Sequence, residues 1–183
     1  MTEAGPFSRV VRVDALPREG QNVTIEATPA EREALASFLE LPAVAALTAT
    51  LTLEPQGRDG ARVTGSVHGE CTRTCVVSLD PFQATMDEAV DVRFAPEART
   101  DSRSPAHRET RAASLEEEDE PDPLIDGKID IGALAAEFFA LGLDPYPRKP
   151  GVTFDPPPEP HDEENPFAAL RRTGAGGSAN ESD

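Results

Sequence analysis

"LTATLTLEPQGRDGARVTGSVHGEC", residues 47–71, decides the architecture. Leu47, Ala49, Leu51 and Leu53 alternate with Thr48, Thr50 and Thr52, the two-residue period of a strand with one face buried. The following "PQGRDG" is turn chemistry, rich in residues that reverse a chain at low cost. Beyond the turn, Val63, Gly65, Val67, Gly69 and Cys71 share a face. After "DPFQ", Val90, Val92 and Phe94 alternate with Asp91 and Arg93, and upstream Val23 and Ile25 alternate with Thr24 and Glu26. Three consecutive strands joined by short turns predict an antiparallel meander.

Two helices complete the pattern. In "TPAEREALASFLEL", Thr28 is the cap, Pro29 suits the first helical position and Glu31 closes a T-x-x-E capping box. Leu35, Phe38 and Leu39 form its apolar stripe, and Pro42 marks the exit. In "DIGALAAEFFALG", Asp130 caps, Ile131, Leu134, Ala135, Phe138 and Leu141 recur at helical spacing, and Gly142 is the stop. A helix this apolar on one face packs either on its own sheet or into a partner's groove. The expected class is α+β: an antiparallel sheet with two packed helices.

The chain has 183 residues, 34 acidic against 17 basic, for a formal net charge of −17. Aromatic residues make up 5% and tryptophan is absent, so the expected core is modest and its flanks solvated. Residues 1–96 read as the strand-rich main part of a single domain, and residues 97–123 as an acidic, disordered linker ending in "LEEEDEPDP". Residues 124–151 supply the second helix and a proline-stiffened strap, and residues 152–183 a disordered Pro- and Gly-rich tail. The N-terminal residues lack a signal-peptide pattern, and no run approaches the roughly 20 apolar residues that span a bilayer. The expected location is the cytoplasm, with no membrane partner.

Little points to catalysis, and the expectation is that the chain is not an enzyme. His68 falls in a predicted strand, and His107 and His161 fall in the linker and the tail. "GARVTG" lacks the lysine and hydroxyl of a phosphate loop. Cys71 and Cys75 lie four apart; on an unbroken strand that is roughly 13 Å, too far for a disulfide or a shared metal. If "TRT" turns sharply to bring them together, two thiols and His68 still fall short of the four ligands of a structural zinc. They read as buried structural thiols, with no metal and no cofactor.

The strap "LDPYPRKPG", residues 143–151, sets Tyr146 beside Arg148 and Lys149 in an acidic chain. Pro145, Pro147 and Pro150 favour extended polyproline geometry. Either the strap lies across the sheet with Tyr146 packed and the cations hydrated, or Tyr146, Arg148 and Lys149 form an exposed partner-binding patch. An aromatic beside two cations suits a base, a phosphate or an acidic protein segment.

"CVVSLDPF", residues 75–82, and "IDGKIDIGALAAEFFALGLDPYPRKPG", residues 125–151, resemble the YceD family of large ribosomal RNA subunit accumulation proteins, in the form of its alphaproteobacterial branch. The resemblance runs from about residue 7 to residue 151. Cys75, Leu79, Asp130, Glu137, Leu141, Leu143 and Pro145 occupy motif positions. Many relatives carry C-x-x-C, whereas here Ser78 stands at the second cysteine's place. Relatives often have glutamine after Glu137, whereas here Phe138 makes the helix greasier.

The resemblance implies a bacterial ribosome-assembly factor that promotes accumulation of large-subunit ribosomal RNA. Its implied partner is a basic ribosomal protein or a large-subunit precursor. Phosphate is repelled by a field of this sign, so an acidic surface suits a basic protein better than bare RNA. The alternatives are an RNA-contacting module using Arg148 and Lys149, or an enzyme whose site is not visible in the sequence.

Overall fold

The computed structural model describes residues 5–57, 59–96 and 121–156. The chain divides into two units, Met1–Pro150 and Gly151–Asp183. The described part of the second, residues 151–156, contains neither helix nor strand.

The first unit is α+β. Strands β2 (Gln21–Glu26), β3 (Ala43–Gln56), β4 (Gly60–Thr74), β5 (Pro81–Pro96) and β6 (Asp122–Leu124) form one sheet in that order. The antiparallel meander comprises β3, β4 and β5, with β2 antiparallel on β3. The sheet is mixed rather than purely antiparallel, because β6 pairs parallel to the end of β5, Phe94 opposite Asp122. Residues 97–120 of the expected linker lie outside the described residues. At its far end Asp122 and Pro123, expected to be disordered, are the first residues of β6.

Alternation sorts the long strands into two faces. Leu47, Ala49, Leu51 and Leu53 of β3 and Val63, Val67 and Cys71 of β4 are buried on one face. The other face carries Thr50, Ser66, Glu70, Asp87 and Asp91, all exposed. Only the apolar face gains from being covered, and both helices contribute to its core.

Helix α1 (Pro29–Phe38) starts as its sequence demands. The Glu31 N–H donates to Thr28 Oγ1, and Glu31 Oε2 accepts from the Thr28 N–H at 2.8 Å. Of its expected stripe, Leu35 is fully buried and Leu39 half-buried, but Phe38 is 70% exposed. The helix ends at Phe38 with Leu39 as its C-cap, so Phe38 sits in the last turn and off the core.

Helix α2 (Ile131–Leu141) buries Ile131, Leu134, Ala135 and Phe139. The core phenylalanine is Phe139, not the expected Phe138, which is only half-buried. Leu141, also expected inside, is 72% exposed, because the helix ends there and Leu143 turns back onto the core instead. Gly69 of β4 permits the close approach of α2: a Cβ there would fall 2.4 Å from the Phe139 ring.

A second, two-stranded sheet joins β1 (Val10–Arg12) to β7 (Lys128–Asp130) and ties the N-terminal segment to α2. Asp130 is the hub. Its carboxylate accepts from the N–H groups of Gly132 and Ala133 at the helix start, from the Arg9 N–H at 2.7 Å, and from Ser8 Oγ at 2.5 Å. One residue thus caps α2 and fastens the N-terminal strand. Among the described residues no helix is long and apolar enough to cross a membrane.

Candidate functional site

At one end of the meander the β4–β5 turn meets the strap. β4 stops at Thr74, and Cys75 organises the turn through its own backbone. Its N–H donates to the Asp80 carbonyl and its carbonyl accepts from the Leu79 N–H, both at 2.9 Å. The sulfur is buried, and accepts from the N–H groups of Val77 and Ser78, each at 3.4 Å. These donors, led by the Ser78 side chain and joined by the Lys149 N–H, bring the thiol down to about 6. Cys71 is different: it lies in the main core, where burial pushes its thiol up. Both cysteines are free, as expected, but Cys75 sits among aligned amide donors rather than in apolar packing.

The strap is fastened to this turn. The Val76 N–H donates to the Pro147 carbonyl at 2.9 Å, and Lys149 Nζ lies 3.3 Å from Asp80 Oδ2. Arg73, the penultimate residue of β4, donates to the Asp144 carbonyl at 2.7 Å. The Tyr146 N–H donates to Asp144 Oδ1, bending the strap. Pro147 is buried, while Tyr146 (72%) and Arg148 are exposed. The strap is packed through Pro147, whereas Tyr146 is exposed and not packed across the sheet. Of the two cations, Lys149 has a carboxylate partner and Arg148 has none among the described residues.

Beneath the strap is a cavity of about 160 Å³, lined by Arg73, Phe82, Met86, Leu143 and Arg148 among others. Arg73, Leu143, Asp144 and Pro147 also line an adjoining depression that reaches Leu39 and Glu40 at the end of α1 and Ala140 near the end of α2. Arg73 and Phe82 were not singled out from sequence. The available signal was parity: Arg73 is in step with Cys71, Gly69 and Val67, so a charge stands at an inward position where the core runs out. Phe82 faces it across the β4–β5 ladder.

The motif positions split by role. Asp130 and Leu143 are structural, and Cys75 holds the turn. Leu79 is 74% exposed and has φ of 62°. Glu137, Leu141 and Pro145 are exposed. Elsewhere, His68 Nδ1 lies 2.7 Å from Asp87 Oδ1 on the polar sheet face, a pairing that raises the imidazole pKa. The described residues hold no group of three His, Cys, Asp or Glu able to ligate a metal.

The model of one protein family, described as "Large ribosomal RNA subunit accumulation protein YceD", matches residues 63–172, more than half of the chain. The chain belongs to the YceD family. The matched span begins within β4, takes in β5, the turn, α2 and the strap, and extends beyond residue 151. Membership associates this YceD protein with ribosome biogenesis. No curated protein and no solved structure matches the chain.

Proposed function

We propose that this YceD protein is a cytoplasmic bacterial ribosome-assembly factor, of the alphaproteobacterial type, that promotes accumulation of large-subunit ribosomal RNA. It does so by binding a basic ribosomal protein or a large-subunit precursor through its acidic surface. Family membership supports the role in ribosome biogenesis. Charge supports the choice of partner: a chain with net charge −17 attracts basic, extended ribosomal proteins and repels bare phosphate. The cations do little against that field, since Lys149 is paired with Asp80 and Arg62 with Asp91. A second reading, an RNA contact through Tyr146, Arg148 and Lys149, draws support from the exposure of both Tyr146 and Arg148.

The two readings are separated by co-sedimentation of the purified chain with large-subunit precursors. Salt weakens both complexes, so the variants decide. For a basic protein partner, changing Glu116, Glu117 and Glu118 to Gln weakens association, and changing Arg148 and Lys149 to Ala leaves it unchanged or stronger. The reverse order would replace the protein reading by the RNA reading.

A further inference from the structure

Three exposed apolar side chains border the groove formed by the strap and its cavity, and a fourth stands on the β4–β5 turn to which the strap is fastened. Phe38 (70%) ends α1, Leu141 (72%) ends α2, Tyr146 (72%) lies on the strap and Leu79 (74%) on the β4–β5 turn. Phe38 and Leu141 adjoin Leu39 and Ala140, which line the groove, and Tyr146 sits between its lining residues Pro145 and Pro147. Single exposed apolar residues need no explanation, but several gathered around one concavity mark a contact surface.

Leu79 is the informative one. Its φ of 62° lies in the left-handed region, which a γ-branched residue occupies at a cost and glycine or asparagine occupies freely. Burial gives nothing back, because the side chain is outside. The turn that holds it is over-determined by Cys75, whose N–H, C=O and sulfur all engage it. The turn's own hydrogen bonds account for the backbone at Leu79, but nothing in the fold uses the leucine side chain displayed there to solvent, and positive φ at a non-glycine residue gathers at contact sites.

We infer that this end of the molecule docks a protein segment that places a carboxylate between apolar side chains, the carboxylate on Arg148 and Arg73 and the apolar groups on Leu79, Tyr146, Leu141 and Phe38. The cavity's charges argue for the carboxylate: Arg73 and Arg148 line it against one acid, Asp144, whose Oδ1 is engaged by the Tyr146 N–H. Arg148 has no partner among the described residues, and Arg73 donates to the Asp144 backbone carbonyl. The cavity argues for a peptide. At about 160 Å³ it holds one inserted side chain, below the roughly 300 Å³ at which small-molecule pockets begin. Apolar anchors beside tyrosine and arginine are also the composition of protein hot spots, whereas RNA would call for more cations than one free guanidinium. This surface is distinct from the acidic one assigned above to a basic partner, and its test stands whichever way that assignment falls.

The test is selection of a phage-displayed random peptide library on the full-length chain, followed by fluorescence anisotropy of the enriched peptide. The expected consensus pairs Leu or an aromatic residue with Asp or Glu. Its affinity should fall at least about tenfold with Arg148→Glu and with Leu79→Gly. Leu79→Gly should melt at or above the wild-type temperature, because glycine relieves the positive φ, which separates loss of contact from loss of fold. No enrichment over an unrelated protein would overturn the inference, as would a Lys- or Arg-rich consensus, or a consensus indifferent to both variants. Displacement of the peptide by single-stranded oligouridylate that itself binds through Arg148 would also overturn it, in favour of RNA.

Discussion

Phe139 of α2 lies so close over Gly69 of β4 that a Cβ on Gly69 would meet two of its ring carbons at 2.4 Å. The ring is fully buried, so it has nowhere to retreat. Gly69→Ala is expected to cost about 1–3 kcal/mol, the usual penalty of overpacking. The check is a double-mutant cycle in denaturant with Phe139→Leu, whose smaller side chain should recover part of the loss. Strict additivity would show that the two positions do not press on one another.

The same ring ranks the paired phenylalanines. Phe139→Ala should lose about 3–5 kcal/mol, as for a large aromatic removed from a core. Phe138→Ala removes a half-buried ring and should lose distinctly less. Urea midpoints of the two variants, compared directly, settle the order.

Arg9 and Glu31 connect the N-terminal segment to α1, with guanidinium–carboxylate contacts at 2.6 and 3.0 Å. That pairing, with the Thr28 N–H, lowers the Glu31 carboxyl from 4.5 to about 2. A depressed carboxyl stabilises the fold above its unfolded value and stops doing so as pH falls through its folded value. Wild type should therefore exceed Glu31→Gln in stability above about pH 4.5, by about 1 kcal/mol as for a lost helix cap. The two should converge as pH approaches 2. A gap independent of pH would assign the effect to shape instead of charge.

Cys75 should behave as a thiolate in the folded chain. Its thiol falls from 9.0 to about 6, so its stabilisation is fully present above about pH 9 and disappears as pH drops through 6. Cys75→Ala should accordingly lose more stability at pH 9 than at pH 6. Thiolate ultraviolet absorbance titrating near pH 6 should vanish in that variant, while Cys71, raised by burial, stays protonated in that range. Absorbance appearing only near pH 9 would count against the donor arrangement around the sulfur.

Much of this was legible from residue order. Alternation in residues 47–71 placed the meander and its buried face, and the caps of both helices stood where Thr28, Glu31 and Asp130 put them. Period alone misassigned Phe138 and Leu141, because which residues on a wide apolar helix turn inward depends on where the helix crosses the sheet. β6 was hidden by its length: three residues containing a proline carry no period, and only pairing with β5 makes them a strand. The site was half visible. Tyr146, Arg148 and Lys149 stand out as aromatic and cationic residues in an acidic chain, but the Lys149–Asp80 pair and the Arg73 contact join residues about seventy apart. No local pattern announces such contacts. The strain at Leu79 is a backbone property, and the letter L does not record it.

The parallel pairing of β6 with β5 has a practical corollary. The chain leaves the sheet at Pro96 and re-enters opposite Phe94, so both ends of the intervening segment sit side by side. That junction lies about 45 Å along β5 from Phe82 beneath the strap, at ~3.4 Å per residue. Doubling the segment's length adds only about 0.6 kcal/mol of closure entropy. An affinity handle or a fluorescent reporter spliced in directly after Pro96 or directly before Asp122 would therefore join the chain at a ready-made port, at the opposite end of β5 from Phe82.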